Sequence, residues 1–372
     1  MPPPEKPVIW FHASSLGEFE QGLPLIQKWK EKKPGHFILL TFYSPSGYKL
    51  KKNYDGVDRV MYLPREITGE VRSFLDHFRP EIAVLIKYEI WPLLIKEMAQ
   101  RNIPCYLISA VFRQDQLFFK WYGKWYLSIL KNFTRIFVQD KKSLQLLNNK
   151  GLNNIQIAGD TRIDRVFELT GDNSEIEGID LFAGDSKIIV AGSSWQKEEL
   201  FLSRFLSEYP TGGVKVILAP HNISPSHLKE IEDLFGDSLV RYSQFLVEPD
   251  KRTDKKVLLI DRIGLLSRLY RYGHIAFIGG AFGAGLHNVL EPAVFNLPVI
   301  FGPKYHKFVE AVELVKVKAG FSVYSYPEFR TKLTELLEDS NTLSNAGKGC
   351  RLYVENHKGA TDLIISHLLE KA

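Results

Sequence analysis

Little in this chain points to an oxidising compartment, a membrane span or a metal. Only two cysteines, Cys105 and Cys350, occur in 372 residues. They are too few for a disulfide framework and fit no zinc-ligand spacing, so a reducing, cytosolic compartment is expected. No apolar run approaches the ~18–20 residues a membrane span requires, and no secretory signal is visible at the start. Asp-x-Asp, His-Glu-x-x-His and Cys-x-x-Cys patterns are all missing, so no metal centre and no cofactor are expected. The Gly-x-x-x-x-Gly-Lys-Ser/Thr phosphate loop is also missing, which argues against an NTPase. There is no internal repeat, and the only biased tract is the proline cluster at positions 2–4.

What is present is a soluble-type composition, 45% apolar and 24% charged, in a length that suits two α/β domains. The net charge of +5 is unevenly spread: residues 1–166 carry about +9 and the remainder about −4. The first half therefore favours an anionic partner such as nucleic acid, a membrane surface or a phosphorylated substrate. Short β-branched and aromatic runs alternate with amphipathic stretches. They predict buried parallel strands at 8–12, 37–42, 59–63, 82–86, 105–109, 136–139 and 155–158, then at 187–191, 216–219, 257–260, 275–278 and 299–301. The polar segment 170–185 reads as a linker between domains at 1–169 and 186–372. The fold class expected is α/β, with two Rossmann-like domains facing across a cleft and the last helix able to pack back on the first domain.

Ligands of such sheets bind at the carboxyl ends of the strands. The loop after the first strand holds Ser15, Gly17 and Glu18. Ser15-x-x-Glu18 is a capping box at a helix start, and a carboxylate in a first helical turn is also kept ionised, as a general base must be. Both readings stand. A second constellation runs from Gly279 to Pro292. Here Gly280, Gly283 and Gly285 would let backbone amides approach a phosphate, and Glu291, about one turn into a helix, would accept ribose hydroxyls. Ser193 and Ser194 follow the first strand of the second half and either cap a helix or bind phosphate. Pro220-His221 follows the next strand. Arg162 either reaches an anionic ligand or pairs with Asp160 or Asp164.

Taken together, Ser15-Leu16-Gly17-Glu18, Ser44-Pro45-Ser46-Gly47, Tyr88-Glu89-Ile90-Trp91-Pro92, Asp261-Arg262-Ile263-Gly264 and His287-Asn288-Val289-Leu290-Glu291-Pro292, followed by Pro298-Val299-Ile300-Phe301-Gly302-Pro303, resemble the Kdo transferase family in order and over nearly the whole chain. The resemblance implies the GT-B architecture and an inverting glycosyltransferase that moves Kdo from CMP-Kdo to a lipid A precursor. It implies a site on the cytoplasmic face of the bacterial inner membrane and no nucleic-acid partner. It casts Glu18 as the base and the first domain as acceptor-binding, with Ser15, Gly17, Ser46 and Glu89 lining or shaping the cleft. The second domain would take the donor with Gly280, Gly283, Asn288, Leu290, Glu291, Pro220, His221, Ser193 and Ser194, helped by Arg162.

The chain departs from the family at Lys87, where a second acidic residue is usual, at His221, where arginine is usual, and at Arg162, where lysine is usual. The family's N-terminal apolar anchor is not visible, so a shortened or divergent member is expected. An anionic membrane surface is expected to meet the aromatic and lysine-rich segment 117–126, which otherwise packs into the first domain's core. Two further readings remain: a GT-B enzyme using a UDP- or ADP-sugar, and a non-enzymatic protein that binds membrane surfaces.

Overall fold

The computed structural model describes residues 3–120, 123–171, 174–209, 212–248, 253–283 and 285–371. The chain divides into two compact units. One comprises Met1–Arg165 with His357–Ala372, and the other comprises Val166–Asn356.

The first unit is built on parallel strands β1 (Val8–Ala13), β2 (Phe37–Phe42), β3 (Arg59–Tyr62), β4 (Ile82–Ile86), β5 (Cys105–Ala110), β6 (Arg135–Val138) and β7 (Ile155–Ile157). Their order in the sheet is β3-β2-β1-β4-β5-β6-β7. Both faces of the sheet are covered, so the strands read as unbroken apolar runs rather than alternating ones. Along β1, Val8 and Trp10 enter one core with Leu39, Phe74 and Leu85, while Ile9, Phe11 and Ala13 enter the other with Leu40, Val84 and Ile86. The chain leaves β1 toward β2 on one side, and β4 pairs with β1 on the other. The loops after β1 and β4 therefore diverge at a topological switch point, where ligands of such sheets bind.

The second unit repeats the plan with β8 (Lys187–Ser194), β9 (Val214–Pro220), β10 (Leu239–Arg241), β11 (Val257–Leu259), β12 (Ile275–Ile278), β13 (Val299–Phe301) and β14 (Gly320–Ser322). The order is β10-β11-β9-β8-β12-β13-β14, again parallel throughout, with the switch point between β8 and β12. The two sheet edges, β10 and β14, are three-residue strands that the sequence pattern does not reveal.

One boundary differs from expectation. Segment 170–185, read as a linker, belongs to the second unit where it is described. It carries the helix Ile179–Ala183, and Ile176, Ile179 and Phe182 are buried. The Ile176 N–H is donated to Tyr272 Oη at 2.9 Å. Asp172 and Asn173 of this segment lie outside the described residues. The last helix, Ala360–Leu369, belongs to the first unit and sends Ile364, Ile365 and Leu368 into the core that contains Phe11.

Of segment 117–126, Trp121 and Tyr122 lie outside the described residues. Phe118 and Phe119 pack against the first unit's core, whereas Trp125 is 57% exposed. Among the described residues no helix is long and apolar enough to cross a membrane.

Asp164 fixes the start of the last helix by accepting the Gly359 N–H at 2.5 Å and the Thr361 N–H at 2.6 Å. A carboxylate capping otherwise unpaired first-turn donors contributes about 1–2 kcal/mol. Asp164→Ala is expected to lower the unfolding free energy of the full chain by that amount and Asp164→Asn by less. Denaturant midpoints unchanged in both variants would show that the cap carries no energy.

Candidate functional site

At the switch point of the first unit, β1 runs into Ser14 and Ser15, and the helix Leu16–Lys32 begins. Ser15 is extended, and Glu18 at the third helical position accepts the Ser15 N–H on Oε2 at 3.0 Å. Burial raises the Glu18 pKa above the usual carboxylate range, and the charge of Glu89 raises it further. The N–H groups of Ser15 and Ser14 and the ammonium of Lys87 pull the other way. Capping and base chemistry are thus compatible in one side chain. The cap holds the carboxylate still, and its surroundings make it a stronger base than an exposed glutamate.

Glu89 is buried at the end of the loop after β4. It accepts the Trp91 indole N–H at 2.7 Å, and its Oε2 lies 2.9 Å from His12 Nε2. His12 is fully buried in β1, with Nδ1 2.8 Å from Thr41 Oγ1, which also accepts the Trp10 indole N–H at 2.8 Å. Thr41 Oγ1 accepts from Trp10, and His12 Nδ1 also lies 3.1 Å from Thr41 O, so the roles of the two imidazole nitrogens follow the tautomer. His12 was not a candidate in the sequence, because a histidine inside an apolar strand carries no pattern of its own.

The loop after β2 closes on this site from the side. The Ser44 N–H is donated to Ser14 O at 2.8 Å, and the helix Pro45–Lys51 follows. A Cβ at Gly47 would lie 2.4 Å from the Phe42 ring and 3.2 Å from the Ser15 carbonyl carbon, so glycine is required there. Ser46 is exposed, with Oγ 2.9 Å from Ser44 Oγ. Gly17 has open space around it, and nothing steric explains it. Arg162 is held by Asp160, whose Oδ2 accepts Nε at 2.9 Å and Nη2 at 2.5 Å. Of the two readings of Arg162, the structure shows the ion pair.

At the switch point of the second unit, the loops after β8 and β12 press together. A Cβ at Gly279 would stand 2.1 Å from Ser193 O, and one at Gly280, where φ is +91°, would stand 2.2 Å from Gly285 O. Glu198, in the first turn of the helix Gln196–Glu208, accepts the Gly280 N–H at 2.9 Å and the Trp195 N–H at 3.2 Å. Glu199 beside it accepts the Ser194 hydroxyl at 2.9 Å and lies 3.2 Å from His227 Nε2. Burial raises the pKa of both glutamates.

The glycine loop differs from the expected phosphate cradle. The N–H groups of Gly283 and Gly285 are both donated to Gly280 O, at 2.9 and 3.1 Å. With the Gly280 N–H on Glu198, the three glycine amides expected to face a phosphate are already used. Ala284 lies outside the described residues. Ser194 is likewise fully buried with its hydroxyl turned to Glu199, while Ser193 is half-buried at φ +51°. Leu290 is also fully buried, so its side chain packs in the core rather than against a ligand.

A cavity of about 260 Å³ opens here, lined by Trp195, Lys197, Gly280, Phe282 and Gly283. Its cation, Lys197, was not among the sequence candidates and rests over the Phe282 ring at 4.6 Å. Pro220 ends β9, and the His221 N–H is donated to Ser194 O at 3.0 Å. The rings of Trp195, His221 and His287 form a stack, with centroids 4.7 and 4.6 Å apart, and the Trp195 indole donates to His287 Nε2 at 3.3 Å. Burial and the neighbouring His221 lower the His287 pKa. Asn288 accepts the Leu290 N–H at 2.9 Å and donates to Glu291 Oε1 at 3.1 Å. Glu291 therefore sits at the second residue of the helix Leu290–Val294, earlier than expected, because Asn288 starts the turn. Its charge adds to burial in raising the pKa of Tyr270. Among the described residues no group of three or more His, Cys, Asp or Glu is placed to hold a metal.

Comparison with known proteins adds the lineage. A family model described as 3-deoxy-D-manno-octulosonic-acid transferase (kdotransferase) matches residues 1–165. The 3-deoxy-D-manno-octulosonic acid transferase of Aquifex aeolicus is 31% identical over 357 residues, covering 93% of this chain and 92% of the relative. That of Rickettsia felis is 27% identical, covering 95% and 77%. Among solved structures, UDP-GlcNAc 2-epimerase from Neisseria meningitidis bound to UDP-GlcNAc superposes with a TM-score of 0.68 at 15% identity, covering 98% of this chain and all of that one, a likeness of fold. With its paired Rossmann-like units of GT-B type and this similarity along almost its whole length, the chain belongs to the 3-deoxy-D-manno-octulosonic acid transferase (Kdo transferase) family of glycosyltransferases.

Proposed function

We propose that the chain transfers Kdo from CMP-Kdo to a hydroxyl of a lipid A precursor, with inversion, at the cytoplasmic face of the bacterial inner membrane. The first unit binds the acceptor and the second binds the donor. The observation that carries the reading is Glu18: a half-fixed carboxylate at a switch point, made more basic by burial and by Glu89, in a family of Kdo transferases. As the acceptor oxygen attacks the anomeric carbon, its proton passes to Glu18. The bond from that carbon to the phosphate oxygen breaks, and CMP leaves with the electron pair.

Asn288 and Glu291 bind the cytidine monophosphate, with Asn288 holding one Glu291 oxygen in place. The cation of Lys197 and the His221 ring supply donors for the departing charge, while Arg162 stays paired with Asp160 in the first unit. Gly280 serves by close packing beside the cavity and Gly283 lines it, rather than either serving by its own amide. Pro220, Ser193, Ser194 and Leu290 set the shape of these loops. Ser15 fixes the base, while Gly17, Ser46 and Glu89 border it. The excess positive charge of residues 1–166 suits an acceptor embedded in an anionic membrane surface.

Glu18→Gln tests the base. The amide still caps the helix but accepts no proton, so kcat is expected to fall about 10²–10⁴-fold while CMP binding stays unchanged. In the parent enzyme kcat/KM should rise with pH as Glu18 deprotonates, with its acid limb above the ordinary glutamate value of ~4.3. Glu89→Gln removes a like charge and should move that limb to lower pH. Transfer within a few-fold of the parent in Glu18→Gln would sink the assignment.

The donor assignment has a separate readout. Glu291→Ala is expected to weaken CMP binding in calorimetry by about 2–3 kcal/mol, the worth of lost charge-assisted hydrogen bonds. An unchanged CMP affinity would place the ribose elsewhere.

A further inference from the structure

One half-buried cation near Glu18 makes no direct ion pair among the described residues. Lys87 follows β4 with φ at +71°, a left-handed conformation that costs a non-glycine residue energy. Its N–H is donated to Ile108 O at 2.8 Å, which holds it there. Among the described residues its ammonium makes no ion pair. It lies over the Tyr88 ring instead, 5.5 Å from the centroid. The hydroxyl of the same ring accepts from Arg113 Nη1 at 3.4 Å, so two cations meet one aromatic side chain. Asp115 lies 3.7 Å from Arg113, but that pair is largely exposed and therefore weak.

The nearby carboxylates do not answer for Lys87. Glu89 is taken by His12 and Trp91. Glu18 is bonded to the Ser15 N–H and feels Lys87 only as a weaker, longer-range charge. An ammonium without a direct ion pair gains a charge-assisted hydrogen bond when an anion arrives.

We propose that Lys87, with Arg113 at the hydroxyl edge of Tyr88, is a subsite for a phosphomonoester carried on a sugar of the acceptor. This rests on Glu18 as the base and deepens that reading. Anchoring the phosphate near Glu18 would hold the acceptor on the first unit, a contact made equally in the ground state and the transition state.

Direct binding tests the subsite without turnover. In NMR titrations of the full chain, N-acetylglucosamine 1-phosphate is expected to bind at least tenfold more tightly than N-acetylglucosamine. Lys87→Met should erase that preference and Lys87→Arg should keep most of it. A preference that is absent in the parent, or that survives unchanged in Lys87→Met, overturns the proposal. In transfer assays Lys87→Met should raise the KM for a phosphorylated acceptor about tenfold with little change in kcat. If instead KM holds and the acid limb of the pH profile moves up, Lys87 acts only by keeping Glu18 ionised, and the subsite is wrong. Should the parent consume no CMP-Kdo, the donor reading fails, while the titrations still decide the role of Lys87.

Discussion

Each unit is organised around a carboxylate in the first turn of the helix that follows its first strand. In the first unit Glu18 accepts the N–H of Ser15, three residues earlier, and in the second Glu198 accepts the N–H of Trp195 with the same spacing. The physical demand is common to both. A strand ending at the centre of a parallel sheet must turn sharply into a helix, and that turn leaves unpaired N–H groups in a half-buried place. A glutamate at the third helical position satisfies one of them. Where the two units part is on the far side of the switch point. In the second unit the neighbouring loop offers the Gly280 N–H, so Glu198 spends both oxygens on structure. In the first unit the neighbouring loop offers another carboxylate, Glu89, whose charge raises the pKa of Glu18. The same capping device thus meets a backbone amide from the neighbouring loop in one unit and a second carboxylate in the other.

The close fit of the loops in the second unit follows from the same geometry. Glu198 draws the loop after β12 toward the loop after β8, and the approach leaves no room for a Cβ at Gly279 or Gly280. Gly302, after β13, is equally confined, since a Cβ there would stand 2.8 Å from the Ala281 carbonyl carbon. The glycines are thus conditions for packing three strand ends together. What the packing exposes is the rim: the Trp195–His221–His287 stack, Lys197, and the Asn288–Glu291 pair.

Strand interiors were legible because both sheets are covered on two faces, which gives continuous apolar runs such as Ile-Ala-Val-Leu-Ile in β4. The edge strands β10 and β14 were not, because their short apolar runs are broken by Arg241 in one and by Gly320 and Ser322 in the other. The segment 170–185 looked like a linker because Gly, Asp and Ser surround its three anchors, Ile176, Ile179 and Phe182. At the site, Ser15-x-x-Glu18 did place the carboxylate in the first helical turn. Sequence could not show that the amides of Gly280, Gly283 and Gly285 are consumed within the fold, since a glycine written in a loop says nothing about where its N–H points. His12 was hidden for a different reason: it lies in a strand whose other residues are all apolar, and only the register of β1 against β2 brings it level with Thr41.

That register carries consequences out to the reacting group. Trp10, Thr41, His12 and Glu89 form one connected chain of hydrogen bonds. The chain ends at Glu89, which also accepts the Trp91 indole N–H. These contacts hold the Glu89 carboxylate in place, and its charge adds to burial in raising the pKa of Glu18. The proton affinity of the proposed base is therefore set partly inside the sheet, by the pairing of β1 with β2, and not only by the loop on which Glu18 stands.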